Sequence, residues 1–329
     1  MANDTRVAVG GLTFDRAQLG KLGDSLGPVI GLILVIAFFA LQPGVRERFL
    51  TPRNFQVIAT QTVIVGVAAL GMTAIIISAG IDLSVGSVVA LTSVVGALSL
   101  GSGVPPTLAI VITIGTGVFV GLLNGALVTY LKLAPFIVTL GMMSIARGLA
   151  KWLAKEQTVN TPDTWLFLIM RPLPNIAPGV WIWLALIIAV MIVLRQTVFG
   201  RYIFAIGSNE ATARLCGVRV DRFKPLIYAF GGFFFGVSGL FQLARLHVGD
   251  STSAAGLELD VIAAVVIGGA SLNGGIGNVL GSITGALIMA VLRNGLQQMS
   301  LPTFVQEIMI GIIIIVAVAL DRLRHGKET

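Results

Sequence analysis

Ten stretches of apolar residues divide the chain and constrain its fold more than any other feature. They cover residues 26–41, 56–78, 84–100, 106–131, 134–154, 179–195, 225–246, 260–270, 278–299 and 303–320. Most reach the roughly 17–25 residues that a helix needs to cross a bilayer. Only 11% of the 329 residues are charged, whereas a soluble domain carries about a quarter. The sequence therefore predicts an all-α, polytopic membrane protein with about ten transmembrane helices, and it excludes a cytosolic enzyme.

Basic residues predict the orientation of these helices, because loops on the cytoplasmic side are enriched in Lys and Arg. With the N-terminus inside and all ten stretches crossing, twelve basic residues fall in inner segments and five in outer loops. We therefore expect a cytoplasmic N-terminal segment at 1–25, a single transmembrane domain at 26–320 and a cytoplasmic tail at 321–329. The stretch 260–270 is too short to span alone, so we expect a half helix or a broken helix there. If it were re-entrant, the basic C-terminus would lie outside, which the same rule disfavours.

Two parts of the sequence resemble each other in the same order. The matching glycines are Gly117, Gly121 and Gly125 in one part and Gly277, Gly281 and Gly285 in the other. Upstream, residues 80–85 resemble residues 256–261. Because the copies lie five crossings apart, they would run in opposite directions, which predicts an inverted repeat with a substrate path between its halves. The alternative is that the glycines only allow membrane helices to pack closely.

Few ionisable residues fall inside the apolar stretches, and neither a nucleotide-binding P-loop motif nor a Cys/His cluster of metal-site spacing is present. We therefore expect no catalytic residue, no metal and no cofactor bound by this chain. Such a profile suits a path for a neutral polar solute, because proton-coupled carriers need charges inside the membrane. The candidate pathway or gate residues are Asp82, Ser84, Asn124, Glu258, Asp260 and Asn294. The alternative for the acidic ones is that they cap helices.

The longest inner loop, residues 196–224, carries the signals of a short helix of its own. Ser208 or Asn209 can cap its N-terminus, and Glu210 complements the positive end of the helix dipole. Ala211 and Leu215 form an apolar pair four residues apart on one face of this helix. Arg214 lies in its last turn, and Gly217 can adopt the left-handed conformation that ends a helix. We expect a capped helix on the cytoplasmic face that docks a partner; the alternative is a simple connector.

Several segments are similar to the membrane permease subunits of ribose-type monosaccharide ABC importers. The matching residues are 78–87, 135–143, 199–217 and 256–269, and the resemblance extends from about residue 28 to 320. It implies a bacterial inner-membrane protein that pairs with a second permease copy, usually as a homodimer. It also implies an ABC ATP-binding subunit that holds ATP and Mg²⁺, and a periplasmic or lipid-anchored sugar-binding protein. Residues 208–218 match the coupling helix that docks on the ATPase.

The function expected from these features is an ATP-driven, binding-protein-dependent import permease for a monosaccharide or related neutral solute. The chain itself is then not an enzyme, and nucleic acid is not among its expected partners. The alternatives are a stand-alone secondary sugar carrier or facilitator, and a membrane-embedded scaffold. The sequence leaves open which sugar or polyol is carried, and whether the pair of permeases is homodimeric or heterodimeric.

Overall fold

The computed structural model describes residues 6–9, 12–172 and 176–325, and most of these residues are helical. Thirteen α-helices, one 3₁₀ helix and four short strands are present in those ranges. In chain order they are β1 (Arg6–Val9), β2 (Leu12–Asp15), α1 (Arg16–Leu41), α2 (Arg46–Phe49), α3 (Pro52–Ile77), α4 (Val85–Gly101), α5 (Pro106–Tyr130), α6 (Pro135–Leu153), β3 (Val159–Asn160), the 3₁₀ helix (Trp165–Ile169), α7 (Pro178–Gln196), α8 (Val198–Ser208), α9 (Glu210–Leu215), α10 (Val220–Leu246), β4 (Val248–Gly249), α11 (Leu257–Ile267), α12 (Val279–Gln298) and α13 (Thr303–His325).

Each of the ten apolar stretches forms one helix, so the mainly helical membrane fold is confirmed. Six helices, α3, α5, α6, α7, α10 and α12, are long and apolar enough to cross a membrane. Shorter apolar segments lie in α1, α4, α8 and α13. The eleven residues of α11 extend about 16 Å, roughly half the thickness of the hydrocarbon core. This agrees with the half helix expected at 260–270.

The all-α description needs correction at two places, where short strands pair. A hairpin, β1 paired with β2, lies within the predicted N-terminal segment, where two glycines between the strands have the composition that short hairpin loops favour. Helix α1 also begins at Arg16, well before its apolar stretch. The strands β3 and β4 form a second small ladder. None of these is a long apolar run, which is why the apolar pattern did not predict them.

Helices α3 and α10 form the centre of the bundle. Every residue of α3 from Thr62 to Ile77 is buried, and α10 packs against α3, α4 and α5. Helix α5 approaches α10 at backbone distance, because Gly121 leaves no room for a Cβ atom beside the carbonyl of Tyr228. Small residues of this kind allow membrane helices to pack backbone against backbone.

The two glycine series contact different partners. The glycines of α5 face α10, whereas Gly281 and Gly285 of α12 face Gly268 and Ala264 at the end of α11. Both series therefore serve close helix packing, each against a different helix. The inverted repeat stays a prediction.

The loops gather at two opposite ends of the bundle. At one end, which we call the α9 end, the amide of Gly275 donates to the carbonyl of Ile77 at 2.8 Å, and Gly207 of α8 packs on the same carbonyl. At the other, the β3–β4 end, the hydroxyl of Thr161 donates to the carbonyl of His247.

Candidate functional site

The helix predicted in the loop 196–224 is present as α9, and its ends are capped as the sequence indicated. Of the two candidate N-caps, Asn209 fills the position: its side-chain oxygen accepts a hydrogen bond from the Thr212 amide at 2.9 Å. At the other end, Gly217 has a φ of +86°, and the amide of Val218 donates to the carbonyl of Ala213 at 3.0 Å. This left-handed glycine cap ends the helix. Ser208 is the last residue of α8 instead.

A cluster of ion pairs holds α9 against the start of α10. Arg214 donates to Glu210 at 3.0 Å and to Asp221 at 2.6 and 2.9 Å, and Lys224 donates to the other oxygen of Glu210. Partial burial raises the pKa of Glu210, but hydrogen bonds from Lys224 and Arg214 outweigh it, so this pKa lies below its ordinary value. Hydrogen bonds to Asp221 and Glu210 raise the pKa of Arg214. The cluster fixes the direction in which α9 points.

Helix α9 is exposed although it is fixed in place. Ala213 is the one buried residue of α9. The side chain of Leu215 is 88% exposed, and Ala211, Arg214 and Gly217 are exposed as well. A rigid helix that presents a large apolar side chain to solvent is suited to dock into a groove of a partner.

Backbone contacts connect this region to the membrane core. Gly207, near the end of α8, packs on Ile77 at the end of α3 and on Gly275 in the loop between α11 and α12. A Cβ atom at Gly207 would collide with both backbones. Helix α8 therefore contacts both the end of α3 and the loop that follows α11.

Three predicted pathway residues meet in one cluster at the break between α3 and α4. The carboxylate of Asp82 accepts from the amide and the hydroxyl of Ser84, at 2.8 and 2.5 Å, and from the side-chain amide of Asn124, at 3.2 Å. All three side chains are fully buried. Within the described ranges Asp82 has no cationic partner. The structure thus brings these residues together as an internal contact between α4 and α5. Asp82 accepts from the amide of Ser84, the residue just before α4, rather than from an amide inside that helix, and α4 has no side-chain N-cap.

The two acidic residues in the first turn of α11 have different surroundings. Asp260 is buried, and both its oxygens accept from Arg293 of α12, at 2.6 and 2.8 Å. One oxygen of Glu258 accepts from the Gly256 amide at 3.3 Å. Its other oxygen is buried without a partner in the described part of the chain and lies against Gly86 of α4. Helices α4 and α11 therefore begin at the same level of the bundle.

The remaining predicted pathway residue, Asn294, lies in a separate contact. Its side-chain amide exchanges two hydrogen bonds with Asn54 of α3, each of 2.9 Å, and Gln298 donates to the same Asn54. This reciprocal pair joins α3 to α12.

A cavity of about 340 Å³ lies above the start of α11, within the size range of small-molecule sites. It is lined by Gln61, Ile64, Val65, Gln242, Arg245, Ala254, Ala255, Leu257, Asp260, Met289, Ala290, Arg293, Gln297, Thr303 and Gln306. Of the six predicted pathway residues, Asp260 alone lines this cavity. Sequence reasoning did not select Gln242, Gln297 or Gln306, although each is an amide side chain within or near the end of an apolar helix.

Comparison with known proteins identifies the family. Residues 54–318 match the family described as the permease component of branched-chain amino acid transport systems. The chain is 40% identical over 324 residues to the ribose import permease protein of Bacillus subtilis (strain 168), covering 94% of this chain and 97% of that protein. It is 37% identical over 301 residues to the ribose import permease protein of Escherichia coli (strain K12), covering 89% and 93%.

A solved structure shares the fold. It is described as an inward-facing conformation of a putative metal-chelate type ABC transporter, with a TM-score of 0.51 and 15% identity, covering 93% of this chain and 99% of that one. The matched relatives are transport permeases rather than enzymes, and the resemblance to ribose-type permeases is confirmed. The helical architecture and the sequence relatives together show that the chain is a multi-pass membrane protein that belongs to this family of transport permeases.

Proposed function

We propose that this chain is the permease subunit of an ATP-driven, binding-protein-dependent importer of a monosaccharide or a related neutral polar solute. We infer the class of solute from the relatives at 37–40% identity, which are ribose import permeases. In this proposal the chain binds no cofactor, and ATP with Mg²⁺ is held by a separate ABC ATP-binding subunit.

The observation that carries the proposal is the exposed, rigidly held helix α9. Its residues Ser208, Asn209, Glu210, Ala211, Arg214, Leu215 and Gly217 are proposed to couple the permease to the ATPase. The exposed Leu215 would enter a groove of that subunit, while the ion pairs of Glu210 and Arg214 keep α9 from bending away. A surface connector has no need of either feature.

Force from the ATPase would reach the membrane core through the contacts of Gly207. Because Gly207 packs on Ile77 and Gly275, a displaced α9 would move the end of α3 and the loop after α11. Helix α11 forms the floor of the polar cavity. We therefore propose that closure of the ATPase dimer opens and closes the route from this cavity to the cytoplasm. In that route Asp82, Ser84 and Asn124 act as an internal contact of the gate, and Glu258, Asp260 and Asn294 act near its outer half.

The membrane arrangement proposed is ten crossings with both termini in the cytoplasm of a bacterial inner membrane. Two facts support it: each apolar stretch is one helix, and the basic loop that contains α8 and α9 lies at the same end as the loop 271–277. The division into residues 1–25, 26–320 and 321–329 and the inverted repeat belong to the same proposal. The end of the chain beyond residue 325 lies outside the described residues.

Two further partners are proposed. A periplasmic or lipid-anchored sugar-binding protein would deliver the solute at the β3–β4 end, opposite α9. A second permease copy would complete the pathway, and the family resemblance favours a homodimer. The bilayer surrounds both copies, and no nucleic acid takes part.

Purification of the tagged permease from its native membrane in a mild detergent tests the docking step. Mass spectrometry and an ATP hydrolysis assay on the eluate should reveal an ABC ATPase that co-elutes with wild type and is lost with Leu215→Asp. The matched control is Leu168→Asp in the 3₁₀ helix at the opposite end, where the leucine is also exposed. Equal ATPase recovery from both variants, or none from wild type, would refute docking through α9 and favour the stand-alone carrier.

A further inference from the structure

We propose that the permease itself holds a neutral polyhydroxylated solute, such as a monosaccharide or sugar alcohol, in the polar cavity above α11. The inference rests on the proposed function and deepens it, because it assigns a solute-contacting site to the membrane subunit as well as to the binding protein. The solute would form hydrogen bonds with amide side chains from four different helices.

The position of the cavity suits a passage site. Its rim is formed by residues at helix ends, where α10 and α12 finish and α13 begins: Arg245, Gln297 and Thr303. Gln61 lies nine residues inside α3, about 14 Å from the first residue of that helix. The floor includes Leu257 and Asp260 at the start of the short helix α11. The cavity thus extends from the β3–β4 end toward the middle of the bundle.

The walls offer hydrogen-bonding capacity that the protein does not use. In the described part of the chain, the side chains of Gln61, Gln242 and Gln297 form no hydrogen bond, and Gln306 uses one donor on the carbonyl of Leu301. Each amide group can donate two hydrogen bonds and accept two. Polar groups inside a membrane protein are costly unless they are paired or serve a solute path, and this applies to the partly buried Gln61 and Gln242, whereas Gln297 is exposed near the end of α12. Unpaired amides that converge on one cavity therefore point to a ligand with many hydrogen-bonding groups.

The hydrogen-bonding groups of the cavity favour a hydroxyl-rich ligand over a cation or a carboxylate. The carboxylate of Asp260 is occupied on both oxygens by Arg293, so it is not available to neutralise a cation. The walls combine amide donors with amide acceptors, and a hydroxyl group of a sugar can match both because it donates and accepts. A carboxylate on the solute would only accept, which would leave the amide oxygens unmatched. Arg245 adds a cationic donor at the rim that has no carboxylate partner in the described ranges, so the anionic probe tests whether this charge selects an anion instead.

Ligand-observed saturation-transfer NMR on the complete permease–ATPase complex in lipid nanodiscs, without the binding protein, tests this site. The probes are D-ribose, D-xylose, D-fructose and ribitol, with D-ribonate as the anionic counterpart. The variant is Gln61→Met/Gln242→Met, which keeps side-chain size but removes both amides. The matched control is Gln56→Met on the same helix α3, outside the cavity lining.

We expect at least one neutral probe to bind wild type and the Gln56→Met control equally. The double variant should bind that probe about tenfold more weakly, because each lost hydrogen bond weakens binding several-fold. D-ribonate should not displace it. Equal binding by the double variant, displacement by D-ribonate, or no neutral probe bound to wild type would overturn the proposal. If the double variant does not assemble with the ATPase, Gln242→Met alone is measured against the same control.

The same preparations separate this inference from the proposed function. Suppose that an ATPase co-elutes and drives uptake, and that the double variant binds the probe as well as wild type does. That result would reject the cavity as a solute site but would still support the proposed importer function. An absent ATPase would reject the importer, and the same NMR measurement on the permease alone would then decide whether the cavity binds the solute.

Discussion

The ion pair between Asp260 and Arg293 offers the sharpest test of the energetics of the cavity floor. The Asp260 side chain is 4% exposed and that of Arg293 is 36% exposed, and the shortest contact between them is 2.6 Å. Arg293→Met would leave the buried carboxylate without its two charge-assisted hydrogen bonds. Breaking a buried pair costs about 3–5 kcal/mol, and we expect about 3 kcal/mol here because Arg293 is partly exposed.

Thermal unfolding of the purified permease measures this loss. At about 2 °C per kcal/mol for a chain of this size, Arg293→Met should lower Tm by about 6 °C. The double variant Asp260→Asn/Arg293→Met removes both charges, so its Tm should recover to within about 3 °C of wild type. The matched control, Arg48→Met, removes an exposed arginine of α2 that has no ion-pair partner within the described ranges. A double variant whose loss equals or exceeds that of Arg293→Met would refute the reasoning.

Three further predictions concern packing, capping and pH. Gly121→Ala should destabilise the fold by about 1–3 kcal/mol through the α5–α10 contact, whereas Gly115→Ala, with open space beside it, should be neutral or slightly stabilising in the same Tm assay. Gly217→Ala should cost about 1–2 kcal/mol because of its positive φ, and ATPase recovery should fall with it. The ion pairs with Lys224 and Arg214 lower the pKa of Glu210 in the folded protein. They therefore stabilise the fold fully above the ordinary pKa of 4.5, and this stabilisation is lost as the pH falls through the lower folded pKa. The Tm difference between wild type and Glu210→Gln should shrink below pH 4.5.

The helical segments and the caps of α9 could be predicted because both are local properties of the sequence. Apolar runs of spanning length specify helices in a bilayer, and the residues that end α9, Asn209 and Gly217, act within one turn of it. Contacts between side chains that are far apart in the sequence could not be predicted in this way. Asn294 is predicted as a pathway residue from its polarity alone; its partner is Asn54, 240 positions away, and no local pattern indicates that contact.

The site in the membrane was harder to predict for the same reason. Asp82, Ser84 and Asn124 were selected as polar residues, but burial of all three together depends on how α4 meets α5. The glutamines around the cavity come from α3, α10, α12 and α13. Each is an ordinary polar residue in its own helix, and only their convergence gives them a common role. The sequence pattern does not distinguish α8 from the loop 196–224, although α8 positions Gly207 against the core.

The central claim is that α9 links this permease to an ATP-hydrolysing subunit. Solute uptake by reconstituted proteoliposomes tests that claim most directly. The permease, its co-eluting ATPase and its sugar-binding protein are assembled with ATP on the ATPase side, and uptake of radiolabelled D-ribose, D-xylose or D-fructose is followed. The account predicts uptake that requires ATP and is lost with Leu215→Asp but retained with Leu168→Ala, a milder change at the opposite end. Uptake by the permease alone, without ATP or ATPase, would contradict it.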